Sequence, residues 1–207
     1  MLDCRSMENK KINLIEFLIE LPSIIFSSPV ITIVLTIIIA RYLPYTGLII
    51  SSVFFYIIMP ILLYTYLYKK GLITDEKFDF NIHKREERPL YLLLVAFGFL
   101  TNHILVSMYN MPTAQEVSLF LCIAFLIFAI ITLFWKISGH MTQTVIVILV
   151  LAYIYSDISM YILLIGYLIC IPLVGASRIK LKHHNIWQVI AGTLVTSAVG
   201  ILLFTIL

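Results

Sequence analysis

The segment VSLFLCIAFLIFAIITLFWK, residues 117–136, is apolar almost throughout, and its single charged residue is Lys136 at the end. A helix of about 20 apolar residues spans the hydrocarbon core of a bilayer. Comparable runs lie at about 23–42, 46–68, 89–109, 141–156, 158–176 and 186–207. The sequence therefore predicts an all-α fold, a polytopic membrane helix bundle with six or seven transmembrane helices.

The composition supports a membrane protein, because 61% of the 207 residues are hydrophobic and only 12% are charged. The net charge of +3 is modest, and the Lys and Arg residues cluster in short connectors instead of forming a basic stripe. We therefore expect no nucleic-acid partner. The three cysteines are scattered, which predicts neither a disulfide framework nor a metal site.

The domain organisation follows from two further patterns. Residues 10–21 have apolar side chains at helical spacing with Glu16 and Glu20 between them, which predicts an amphipathic helix in the membrane interface. We thus expect a cytoplasmic N-terminal segment over 1–22 and a single transmembrane domain over 23–207. Asp157 divides the long run 141–176 into two helices, because a carboxylate at the bilayer centre costs several kcal/mol.

Counting seven crossings places three polar connectors on the same side of the membrane. These are the connector 69–88, the residues around Ser138 and the residues around Arg178. Of the fourteen Lys and Arg residues, all but Arg41 fall on this side. Because positive charge is enriched in cytoplasmic loops, we expect this side to be cytoplasmic.

The first two connectors carry groups suited to phosphate. Lys84-Arg85-Glu86-Glu87-Arg88-Pro89 offers guanidinium groups that bind phosphate oxygens in pairs, although basic residues flanking a span also serve as plain membrane anchors. Ser138-Gly139-His140 offers a hydroxyl, close backbone approach and a general acid. Its alternative interpretation is an ordinary turn with an interfacial histidine.

The third connector contains Ser177-Arg178, followed by His184 and Gln188. His184 and Gln188 are four residues apart, so we expect Gln188 to hydrogen-bond one ring nitrogen while the other ring nitrogen faces a substrate. We expect the adjacent His183 to point elsewhere, about 100° around a helix. An interfacial histidine beside basic residues is the alternative.

Together the three motifs resemble the type 2 phosphatidic-acid phosphatase superfamily, whose signature is a basic stretch ending in Arg-Pro, then Ser-Gly-His, then Ser-Arg-x5-His-x3-Asp. Three positions depart from that signature. Asn81 stands where the family has lysine, so Lys84 or Arg85 would take its role, and Ile137 replaces a proline. Gln188 replaces the final aspartate, so we expect either a site slower than that of a relative with aspartate or an acid supplied from elsewhere in the chain.

The resemblance implies a metal-independent phosphatase, without a cofactor, that acts on a lipid or polyprenyl phosphate in the membrane. His184 would attack phosphorus to form a phosphohistidine, and His140 would protonate the leaving oxygen. The phosphate oxygens would be held by a set of polar groups: Lys84, Arg85, Arg88, Ser138, Gly139 and Arg178. Two alternatives stay open, a lipid phosphotransferase of the same superfamily and a non-catalytic membrane protein that binds anionic lipids.

Overall fold

The computed structural model describes residues 14–74, 82 and 84–206. These residues form eight helices and no strand: α1 (Leu14–Ile25), α2 (Ser28–Ala40), α3 (Thr46–Lys69), α4 (Arg88–Ser107), α5 (Pro112–Phe134), α6 (Gly139–Ile154), α7 (Ser156–Lys180) and α8 (Ile186–Ile206). Helix α3 contains a π-helical turn at Phe54–Ile58, and α7 contains one at Gly166–Cys170.

Six segments of the described chain are long and apolar enough to cross a membrane, and the shorter α6 is a seventh apolar helix. The first of the six, Phe17–Ala40, joins α1 and α2 across a break at Phe26 and Ser27. Large apolar side chains on the outside of the bundle stay exposed, as lipid-facing side chains do. The predicted all-α polytopic bundle is confirmed.

The structure tests the predicted division at Asp157 in full and the predicted N-terminal amphipathic helix only in part. The division of 141–176 at Asp157 is confirmed, because α6 ends at Ile154 and a 3-10 turn over Ser156–Ile158 opens α7. The amphipathic helix predicted over 10–21 lies partly outside the described residues, and the observed α1 continues through Pro22 to Ile25. The Ser23 hydroxyl, near the end of α1, hydrogen-bonds the Ser177 hydroxyl of α7 at 2.7 Å.

Helix α6 lies at the centre of the bundle. Eleven of its 16 residues are buried and none is fully exposed, because it packs against α2, α5, α7 and α8. A helix that is apolar on all sides belongs in the interior, surrounded by other helices. The motif Ser138-Gly139-His140 therefore enters the protein from one end, with its histidine directed inward and only 6% exposed.

The polar residues within α4 are satisfied inside the bundle. The Asn102 side chain donates to the hydroxyls of Tyr56 and Ser118 at 3.4 and 3.1 Å. The His103 Nδ1 lies 2.9 Å from the carbonyl oxygen of Gln115. Both side chains therefore contribute to packing between helices, as polar groups in membrane bundles commonly do.

Candidate active site

One cavity brings together residues from all three polar connectors. It is lined by Arg88 at the start of α4, by Gly139 and His140 at the start of α6, by Arg178 near the end of α7, and by His184 before α8. The cavity has a volume of about 70 Å³ and opens to the surroundings. Residues separated by almost a hundred positions in sequence thus share one site.

Arg88 is held by backbone carbonyl groups on two sides. Its Nε donates to the carbonyl oxygen of Ile82 at 2.6 Å, and its Nη1 donates to the carbonyl oxygen of Ile137 at 3.2 Å. Pro89 follows in the first turn of α4, where its missing N–H costs no helical hydrogen bond. These contacts fix the guanidinium group at the cavity wall and attach the start of α4 to the residue before Ser138.

A tight turn after α7 positions His184 at the cavity. The backbone N–H groups of His183 and His184 donate to the carbonyl oxygen of Arg178 at 3.1 and 3.3 Å. Lys182 has a φ of 57°, a left-handed conformation that reverses the chain between α7 and α8. The turn therefore places His184 against Arg178, and both side chains are buried, with 7% and 5% exposure.

Gln188 sets the tautomer of His184. The Gln188 Oε1 accepts a hydrogen bond from the backbone N–H of Asn185 at 3.3 Å, which orients the amide oxygen toward this turn. The same oxygen lies 3.0 Å from His184 Nδ1, so Nδ1 must carry the proton. His184 Nε2 is then the basic nitrogen of the ring, as the spacing of the two residues predicts.

His184 is neutral at physiological pH. Burial lowers its pKa from 6.5 to about 3 because the imidazolium loses hydration. The hydrogen bond with Gln188 raises the pKa, but the positive charges of Arg88, Arg178 and Lys136 lower it further. A neutral imidazole with a fixed tautomer keeps a lone pair on Nε2, which is the requirement for a nucleophile.

The start of α6 is attached to α8 through the backbone. The Ser138 N–H donates to the carbonyl oxygen of Gln188 at 3.1 Å, and a Cβ added at Gly192 would lie 2.8 Å from the Ser138 carbonyl oxygen. Only glycine permits this approach. The Ser138 hydroxyl is buried and has no hydrogen-bond partner within the described chain. Ser138 does not line the cavity, although Gly139 and His140 do.

Lys84 and Arg85, predicted to contact phosphate, lie outside this cavity. The Lys84 ammonium group is exposed, donates to the Thr74 hydroxyl and pairs with Glu87 at 3.6 Å. The Arg85 side chain donates to Glu86 at 3.2 Å and to the Phe134 carbonyl oxygen at 2.7 Å. Lys84 thus holds residues of the connector before α4 together, and Arg85 attaches that connector to the end of α5.

Three other polar residues line the cavity and were missed by sequence reasoning: Lys136, Gln143 and His183. Gln143 is three residues after His140, so helical spacing alone could have placed both on one face of α6. The prediction that His183 points elsewhere is wrong, because 183–184 belong to the turn and α8 begins only at Ile186. Lys136 carried no signal that distinguished it from a membrane anchor.

The charge of the cavity selects for anions. Arg88, Lys136 and Arg178 line it together with three histidines, and none of the described lining residues is acidic. Within the described chain, no group of three or more His, Cys, Asp or Glu side chains is arranged to hold a metal ion. Three cations around a recess of this kind suit a phosphate group, whose oxygens accept several charge-assisted hydrogen bonds.

The fold and the cavity define a polytopic α-helical membrane protein with a buried, cationic, histidine-containing site at one end of its bundle. No family model, curated protein or solved structure matches the chain. Its functional assignment therefore depends on the chemistry of the cavity and on the three motifs.

Proposed function

We propose that this protein is a membrane phosphatase that hydrolyses a phosphomonoester or diphosphate of a lipid or polyprenol through a phosphohistidine intermediate. The observation that carries the proposal is the convergence of Arg88, Arg178, His140 and His184 on one cavity. The cavity offers cations for the phosphate, a neutral nucleophile and a second histidine for proton transfer. The resemblance of the three motifs to the type 2 phosphatidic-acid phosphatase superfamily supports the same chemistry.

In the first step, His184 Nε2 attacks phosphorus, a bond forms between nitrogen and phosphorus, and the bond to the leaving oxygen breaks. His140 takes up a proton as the anionic substrate binds and gives it to that oxygen, so the leaving group departs as the alcohol or, from a diphosphate, as the lipid monophosphate. Arg88, Arg178 and Lys136 stabilise the negative charge that spreads over the equatorial oxygens. In the second step, His140 accepts a proton from water, which attacks phosphorus and releases His184 and inorganic phosphate.

The test is phosphate release by the purified full-length protein from a panel of lipid phosphates and polyprenyl diphosphates, with chelator present. We expect activity on at least one substrate, loss of at least a thousandfold in His184→Ala, and a phosphorylated histidine at position 184 after rapid quenching. His103→Gln is a matched control, because His103 contacts Gln115 away from the cavity. We expect this control to retain activity.

The outcomes separate the alternatives. A product that appears only when an alcohol acceptor is added would identify a phosphotransferase. Absence of phosphate release from every substrate, with His184→Ala binding anionic vesicles like the wild type, would identify a non-catalytic lipid-binding protein.

We extend the proposal to sidedness and place the cavity on the cytoplasmic face of the membrane. The distribution of Lys and Arg supports this orientation, with only Arg41 among the connectors of the other side. The test is labelling of Lys84→Cys and Thr113→Cys with an impermeant thiol reagent on intact cells, in a chain without its natural cysteines. We expect labelling at position 113 only, and labelling at 84 from outside would reverse the orientation.

A further inference from the structure

The polar cavity shares its walls with two apolar pockets. Phe125 and Gln143 line both the cavity and a buried pocket formed by α2, α3, α4, α5 and α6. Tyr91 lines both the cavity and a second pocket between α2 and α3. The two apolar pockets in turn share Thr32 and Tyr56. A phosphate bound in the cavity therefore lies next to apolar space inside the bundle.

The second pocket reaches the outside of the bundle. Ile33 on α2 and Ile61 on α3 form part of its wall, and they are 44% and 40% exposed. Both helices belong to segments that are long and apolar enough to cross a membrane, so this opening faces hydrocarbon. Pro60 lies here, two residues after the π-helical turn of α3 that interrupts the regular helical backbone. We name this pocket between α2 and α3, lined by Pro29, Ile33, Ile57 and Ile61, the lateral passage.

Gln143, whose side chain has a buried oxygen without a partner among the described residues, lines both the cavity and the adjoining apolar pocket. Gln143 Oε1 is buried and accepts no hydrogen bond from the described residues. Gln143 follows His140 by one helical turn, so both side chains face the cavity. An amide oxygen accepts hydrogen bonds but cannot donate them, and a buried acceptor selects a ligand that brings a donor.

We infer that the lateral passage holds the hydrocarbon chain of the substrate and that Gln143 accepts a hydrogen bond from an O–H or N–H group between phosphate and chain. The inference rests on the proposed phosphatase function and narrows its substrate class. Suitable substrates carry such a donor within a few carbons of the phosphate, as lysophospholipid and sphingoid phosphates do. Diacyl and polyprenyl phosphates have no donor at this position.

The donor is tested with two substrates that differ by one hydroxyl, an oleoyl glycerol phosphate with a free 2-hydroxyl and the corresponding oleoyl propanediol phosphate. We expect wild-type kcat/KM to favour the hydroxyl substrate about tenfold or more, because its absence leaves the glutamine oxygen unpaired. Gln143→Met keeps the side-chain length and removes the acceptor, so the preference should fall below threefold. Equal rates with wild type, or an unchanged preference in Gln143→Met, would overturn the role of Gln143.

The passage is tested by filling it. Ile33→Trp should lower kcat/KM about tenfold for an 18-carbon chain and less than twofold for a 6-carbon chain. Ile37→Trp is the matched control, one turn along α2, 58% exposed and outside the pocket, and it should change neither value. Ile61→Trp repeats the test from α3 if Ile33→Trp does not fold. Equal losses for both chain lengths, or no loss, would contradict the passage.

Failure of this inference differs from failure of the phosphatase proposal. If the wild type releases phosphate from all substrates at equal rates and His184→Ala releases none, the phosphatase proposal stands. The proposed recognition of the donor and the chain is then wrong. If no substrate releases phosphate and His184→Ala matches the wild type, both proposals are wrong.

Discussion

Replacement of Gln188 by glutamate tests the mechanism at its most unusual residue. In the structure, Gln188 Oε1 accepts from the Asn185 backbone N–H and from His184 Nδ1. Glutamate has the same length and offers an oxygen to both donors, so the geometry is preserved. The new negative charge raises the pKa of His184 above its value of about 3 and stabilises the imidazolium that forms as Nε2 attacks phosphorus.

The size of the effect follows from the hydrogen bond. A neutral hydrogen bond contributes about 0.5–1.5 kcal/mol and one to a charged group about 1.5–3 kcal/mol, so the midpoints differ by about 1.2 kcal/mol. We therefore expect phosphohistidine formation to be roughly tenfold faster in Gln188→Glu at pH 7. Gln188→Ala, which loses the acceptor, should be at least tenfold slower.

Rapid-quench measurement of phosphohistidine at position 184 gives the rate of this step directly. Gln115→Glu provides the matched substitution outside the cavity, and it should leave the rate within twofold. If Gln188→Glu and Gln188→Ala both react at the wild-type rate, Gln188 does not act on the nucleophile and the tautomer argument is refuted.

Three further experiments test the packing around the site, the protonation state of His184 and the role of Lys136. Gly192→Ala places a Cβ 2.8 Å from the Ser138 carbonyl oxygen, so α8 must shift. We expect the protein to lose about 1–3 kcal/mol of stability, measured by thermal unfolding in detergent, and to lose activity. Because the pKa of His184 is lowered to about 3, its modification by diethylpyrocarbonate, followed by mass spectrometry, should be independent of pH between 5 and 7. A modification rate that rises with pH around a midpoint near 6.5 would show that His184 titrates as an ordinary histidine and would contradict the prediction. Lys136→Met should raise KM roughly tenfold by loss of a charged contact, whereas Lys84→Met should change it less than twofold.

The membrane bundle could be predicted from the sequence because its signal is local. Each apolar run has the length that a crossing requires, and Asp157 marks a division where α6 and α7 are in fact separated by a short turn. The alternation of sides then predicted that three connectors meet. That prediction depends only on the number of crossings. In the structure, Arg88, His140 and His184, one from each connector, line the same cavity.

The finer composition of the site could not be predicted, because it depends on how connectors fold. Lys136 follows α5 by two residues, and its position at the cavity depends on the extended backbone between α5 and α6. Lys84 looked equivalent in the sequence, but its contacts with Thr74 and Glu87 keep its ammonium group outside the cavity. His183 was misplaced because helical periodicity was extended into a turn that begins before α8.

Gln188 shows how the local structure and the electrostatics of the cavity fit together. A carboxylate at this position would neutralise part of the positive charge that Arg88, Lys136 and Arg178 bring to the cavity, while an amide leaves that charge for the ligand. The amide still satisfies both donors of the turn, so the orientation of His184 is not lost. The protein thereby holds a neutral imidazole in a strongly cationic recess, an arrangement that, in the proposed mechanism, favours phosphate binding over speed of the chemical step.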